Sequence, residues 1–237
     1  MRRSLYAVLS AVVVFAPTAL LAQDVLPQPL SQIDGVKVTG VGNAVVANWA
    51  GVYVGPYDGL VYFTSGTPAS APVSLYCVDY MHDISVGDHW QVNATDLGAT
   101  SPDLSETLLG TGSFAKYQQA AYLASLFDSW TSYGPTKIAV YSAIHAAIWS
   151  IMGASLNATA QAEAAPFESM AVPSDFSLAG WAVLTDVGST DNGKTGQEYL
   201  IHTTVTPEPQ TYILLLSGLI VVFGVRWWRR RESSAFA

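Results

Sequence analysis

The sequence predicts an α+β protein: a β-sandwich or sheet domain with an inserted pair of helices, an N-terminal signal peptide and one C-terminal transmembrane helix. Three observations predict it. Runs rich in Val and Tyr, punctuated by Gly, open the domain and return at its end. Two Ala-rich runs with helical spacing lie between them. A separate apolar run stands near each end of the chain. Strands, then helices, then strands place the helices inside one sheet domain rather than between alternating strands.

At the N-terminal end, Arg2 and Arg3 precede the apolar stretch from Leu5 to Leu21, which closes on Ala22-Gln23. A charged start, an apolar core and a small residue before a polar one describe a secretory signal peptide over residues 1–22. At the other end, Pro207-Glu208-Pro209-Gln210-Thr211 leads into an apolar run from Tyr212 to Val225. The cluster Arg226-Trp227-Trp228-Arg229-Arg230-Arg231 follows. The prolines keep the backbone extended and out of helix. The apolar run, with the two tryptophans at its interfacial end, is read as a membrane segment over 212–228. The arginines hold that end on the cytoplasmic side.

The six arginines all lie in these two ends, which leaves four lysines against sixteen acids in residues 23–206, a net charge of −12. A surface this acidic excludes nucleic acid and anionic lipid as partners of the domain, because both need clustered cations. With a single cysteine, Cys77, the chain forms no internal disulfide. Half of the residues are hydrophobic and 12% are charged, so residues 23–206 suit one domain with a proper core rather than a disordered stalk.

Within the domain, Asp34 to Thr64 favours strands: Val36, Val38 and Val41 alternate loosely with polar residues, and Leu60-Val61-Tyr62-Phe63-Thr64 reads as one strand. Val73 to Asp79 reads as the next, and Trp90 to Val92 as a short one. Ser113 is placed to cap a helix whose Phe114, Tyr117, Ala121 and Ala124 share a face. Pro135 suits the first turn of a second helix, with a stripe of Ile138, Tyr141, His145, Ile148 and Met152 and a stop at Gly153. Strand character returns at Phe176 to Asp186 and Glu198 to Thr206.

Chemistry centres on two segments, Leu75-Tyr76-Cys77-Val78-Asp79 and Ile144-His145-Ala146-Ala147-Ile148-Trp149. An imidazole beside a thiol lowers the thiol pKa, and alternation along a strand puts Asp79 on the same side as Cys77, where it would orient His145. Against this outline of a triad stands the plainer reading of a buried cysteine that packs as a small hydrophobe and a histidine satisfied in the core. His82, Asp83, Asp88 and His89 flank Gly87 and read either as a weak cation site or as a solvated loop. No cofactor or metal is expected. The chain has no Gly-x-Ser-x-Gly elbow, no phosphate-cradling glycine loop and no His-Glu-x-x-His, and no carboxylate pair stands out from the acidic background. Tyr53, Tyr57, Tyr62, Trp90 and Tyr133 are aromatics that would stack on sugars if exposed.

The C-terminal arrangement of Pro207, Glu208, Pro209 and Thr211, the apolar run, and Arg226, Arg229, Arg230 and Arg231 resembles the PEP-CTERM sorting signal of bacterial surface proteins, over residues 207–237. The resemblance implies recognition by an exosortase-type membrane transpeptidase and cleavage near Pro207 to Pro209. It further implies a destination at the cell surface or in an exopolysaccharide matrix, as in a biofilm. Residues Leu60 to Gly153 resemble the thioester domains of bacterial surface proteins. Tyr76-Cys77-Val78 matches that family's strand motif, and Ile144-His145-Ala146-Ala147-Ile148 matches its helix motif except that His145 stands where the family has glutamine. Histidine has no carbonyl carbon for the thiol to attack, so the expectation is a non-catalytic exported protein. A Cys77-dependent covalent adhesin or thiol enzyme, and a permanently anchored periplasmic binding domain, are the alternatives.

Overall fold

The computed structural model describes residues 24–190 and 196–205. The expected signal peptide, Pro-Glu-Pro segment and membrane segment 212–228 lie outside the described residues. Among those described, no helix is long and apolar enough to cross a membrane.

The first half is extended. Asp24–Leu26 (β1) leads through a single 3-10 turn at Leu30–Gln32 into Ile33–Gly40 (β2). A small hairpin, Val45–Val46 (β3) and Tyr53–Val54 (β4), precedes Tyr57–Phe63 (β5), Ser70–Cys77 (β6) and His89–Asp96 (β7). The helices are Phe114–Ser125 (α1), Lys137–Ile151 (α2) and Ala158–Glu168 (α3), and the chain ends in Trp181–Thr190 (β8) and Tyr199–Val205 (β9). The expected α+β class and the strand–helix–strand order hold.

The sheet closes on itself. Along it, Gly59 of β5 faces Val73 of β6, Val36 of β2 faces both Val61 and Trp90, and Ala94 of β7 faces Leu184 of β8. Tyr199 of β9 then pairs with Leu184 on one side and with Cys77 of β6 on the other. The result is an antiparallel barrel in the ring order β6, β5, β2, β7, β8, β9, not a sandwich of two sheets. Closure removes the open edges that an isolated sheet would present. β1 adds to the far end of β9 in parallel, Asp24 opposite Thr203 and Leu26 opposite Val205.

Three α-helices, not two, are inserted between β7 and β8. Ser113 occupies the N-cap of α1 without capping it; its hydroxyl instead donates to the Gly110 carbonyl. The second helix begins later than Pro135: Thr136 is its cap and accepts from the Ala139 amide at 3.3 Å. At its end, Gly153 takes φ 101° and the Ala154 amide returns to the Trp149 carbonyl at 2.9 Å. That left-handed stop is the one the glycine predicts. The expected stripe on α2 is too narrow a description, since every residue from Val140 to Trp149 is buried. A helix buried on all sides needs neighbours all round. α1, α3, the β3–β4 hairpin and the 3-10 segment Leu126–Ser132 supply them.

Gly180 fixes the start of β8. It sits at φ 82°, its carbonyl accepts from the Thr203 amide at 2.9 Å, and a Cβ there would lie 2.0 Å from the Thr203 oxygen. The contact is with backbone, so a side chain at 180 must push β8 off β9. Gly180→Ala is therefore expected to cost about 3 kcal/mol or more, read as a lower urea midpoint. A loss under about 1 kcal/mol, the ordinary effect of a point change, would contradict this seam.

Candidate functional site

Cys77 ends β6 and is 1% exposed; His145, two turns into α2, is fully buried. The topology does bring these two residues together, as the sequence suggested, but through the wrong atoms for thiol chemistry. His145 Nδ1 accepts the Gly55 amide at 2.7 Å. An acceptor at Nδ1 fixes the proton on Nε2, which donates to the Cys77 carbonyl oxygen at 2.9 Å. Both ring nitrogens are spent on backbone, and neither serves the sulfur. The ring also stacks on Trp149 at 4.4 Å and meets the edge of Phe127 at 5.4 Å.

Electrostatics lead to the same reading. Burial drives the His145 pKa down to about 4, only partly offset by its bond to the Cys77 carbonyl. Burial pushes the Cys77 thiol up to about 12. An imidazole that stays neutral beside a thiol that keeps its proton is the opposite of an activated nucleophile.

Asp79 does not complete a triad. β6 stops at Cys77, so strand alternation no longer governs the residue two positions on. The chain turns, and the buried Asp79 carboxylate receives the Met81 amide at 2.9 Å and pairs with His82 Nδ1 at 2.5 Å. Asp88 and His89 of the suggested cation site are engaged elsewhere, while Asp83 is exposed at the surface. Asp88 accepts the Ser85 amide at 2.8 Å, and the His89 ring lies edge-on to Tyr62. Among the described residues, no group of three or more His, Cys, Asp or Glu side chains is arranged to hold a metal. Of the aromatics expected at the surface, Tyr53 and Tyr133 are exposed and Tyr57 and Tyr62 half-buried, whereas Trp90 is 2% exposed and belongs to the core.

Next to Cys77 the fold leaves a cavity of about 620 Å³, within the usual range for a small-molecule site. Its aromatic walls are Tyr53, Tyr57, Tyr80 and Trp149. The Tyr80 and Trp149 rings lie 4.9 Å apart, and Trp49 meets Trp149 edge-on from behind. Two loops build the rest: the hairpin region from Val41 to Tyr53 and the turn from Tyr80 to Val86. The hairpin is fastened to the helices by side chains. Asn48 Nδ2 donates to Glu163 of α3 at 3.0 Å, and Asn157 Nδ2 donates to the Trp49 carbonyl at 3.2 Å. The turn is fastened to β9 by Gln197, whose amide nitrogen donates to the carbonyls of Asp79 and His82.

The residue that sequence reasoning missed is Glu198. It is 2% exposed and accepts from the Leu108 amide at 2.8 Å, the Tyr117 hydroxyl at 2.7 Å and the Thr185 hydroxyl at 2.7 Å. Burial raises its pKa, and the three donors oppose that rise. It ties the loop before α1, α1 itself and β8 to the start of β9. Its position among acids scattered along an acidic chain gave no signal, and it does not line the cavity.

Comparison with protein-family models, with curated proteins and with solved structures finds no match to this chain.

Two outcomes follow from the Cys77–His145 geometry. In the folded protein at neutral pH, iodoacetamide should modify Cys77 no faster than the chain unfolds; rapid labelling that His145→Ala suppresses would overturn the assignment. The second concerns pH. Unfolded His145 binds its proton near pH 6.5 and folded His145 near pH 4, so between them the unfolded chain holds more protons. Stability from this group is complete above pH 6.5, declines as pH falls towards 4, and amounts to about 3 kcal/mol. The raised pKa of Glu198 acts in the opposite sense. Denaturant titrations of wild type and His145→Gln isolate the histidine: wild type should lose more stability on acidification, and parallel losses would refute the buried neutral imidazole.

Proposed function

We propose that this chain is a non-catalytic, exported cell-surface or extracellular-matrix component. A signal peptide over residues 1–22 directs export, and the segment over 212–228 holds the protein transiently in the inner membrane. An exosortase-type transpeptidase then cuts near Pro207-Glu208-Pro209 and frees the domain towards the surface or an exopolysaccharide matrix. The observation that carries this reading is the fixed order of Pro-Glu-Pro, apolar run and arginine cluster in residues 207–231. Each part has its own physical task in processing, detention and orientation.

Two features of the domain support a binding rather than a catalytic role. Burial raises the pKa of the only thiol and both nitrogens of the nearby imidazole bond to backbone, which argues against a covalent adhesin or thiol enzyme. The domain between the two ends has no arginine and a net charge of −12, which suits a soluble surface that resists adhesion to anionic envelopes. Mass spectrometry of the mature protein decides between transient and permanent anchoring. Sorting predicts a C-terminus between Pro207 and Thr211, whereas recovery of the chain with Ala237 intact would establish a permanent anchor.

A further inference from the structure

The cavity beside Cys77 combines three properties that select a ligand. Its body is apolar: Val38, Val41, Val52 and Ile84 line it together with the four aromatic rings. Its mouth keeps large apolar side chains in water, with Met81 76%, Val86 55% and Tyr53 44% exposed. Among the described residues, its only charged lining residue is Asp83, an exposed carboxylate. Two of the polar groups inside are already used, whereas the Trp149 indole N–H is buried without a partner among the described residues, and Tyr53, Tyr80 and Ser85 add hydroxyls to the lining. Gln197 donates to two carbonyls and accepts from the Tyr199 hydroxyl at 2.8 Å, and the Tyr57 hydroxyl donates to the Tyr53 carbonyl at 2.8 Å.

A hydroxyl-rich ligand such as a sugar would set much of its polar surface against the aliphatic wall of Val38, Val41, Val52 and Ile84 and lose its hydration there. An anion would meet a carboxylate within a domain of net charge −12 and no arginine. A cation with an apolar body meets neither obstacle. Tyrosine and tryptophan faces attract positive charge through their quadrupoles. The aliphatic wall takes the body, flexible Met81 adapts to its shape, and Asp83 pairs with the head at the mouth. We propose that this cavity is a binding site for a small cationic amphiphile, an apolar body with an amine or quaternary ammonium head. The assignment rests on the non-catalytic reading of Cys77 and His145, and is independent of how the C-terminal tail is processed.

The test uses the full chain in nanodiscs of zwitterionic lipid, with empty nanodiscs as reference. Three probes share one body and differ in charge: phenylbutylamine, phenylbutanol and phenylbutyrate, with cellobiose as a fourth. Calorimetric titration should rank them amine, alcohol, acid, with the amine about tenfold tighter than the alcohol and no heat from cellobiose. Asp83→Asn removes one exposed charge among sixteen acids; it should erase the preference for amine over alcohol and leave alcohol binding in place. Tyr53→Ala, also at an exposed position, should weaken the amine about threefold or more. Equal affinity for the three phenylbutyl probes, an amine preference that survives Asp83→Asn, binding of cellobiose alone, or no binding by any probe would each overturn the proposal. Because none of these readings depends on the tail, their failure leaves the sorting reading standing, and failure of that reading leaves them intact.

Discussion

One buried imidazole couples the helical insertion to the barrel. His145 receives the Gly55 amide and donates to the Cys77 carbonyl, so α2, the entry to β5 and the end of β6 are held by a single rigid ring. The arrangement works only for neutral histidine in one tautomer, with acceptor and donor at opposite ends. Gly55 lies between β4 and β5, outside any strand, and Cys77 is the last residue of β6; an unpaired buried amide or carbonyl costs about 1–3 kcal/mol. The ring is gripped from the sides by Trp149 and Phe127. Gly55 is shaped to meet it: φ is 111°, and a Cβ there would strike the Tyr141 ring at 2.4 Å. The cavity lies beside this junction, with Cys77 and Trp149 in its wall.

The coarse plan could be read from the chain because its signals are local. Valine alternation in β2, the helical spacing of Tyr117, Ala121 and Ala124, and the stop at Gly153 each reflect neighbours within a few residues. Barrel closure had no such signal. It depends on β9 pairing with both β6 and β8, strands separated by the whole helical insertion. The third helix was missed for a related reason. Its face is mostly alanine and the chain carries Pro166 within it, so apolar contrast is weak. The usable clue was Asn157, whose side chain caps the Ala160 amide at 2.9 Å.

At the site, proximity was legible and orientation was not. Sequence similarity to a strand motif and a helix motif put Cys77 near His145, and they are neighbours. Which atom of Cys77 meets the ring depends on where β6 ends, and that depends on β9 arriving beside it. Asp79 turned away for the same reason. The cavity was less visible still. Its wall joins Val38, Tyr53, Tyr80 and Trp149, four positions on different elements or loops with no common spacing.

The pairing of β1 with β9 has a mechanical meaning. The two strands run in parallel, so the chain enters the pair at Asp24 and leaves it at Val205, at opposite ends. Tension drawn from both sides would load their hydrogen bonds together in shear instead of opening them one at a time. A barrel fastened in that way resists a steady pull better than its modest length of paired backbone suggests.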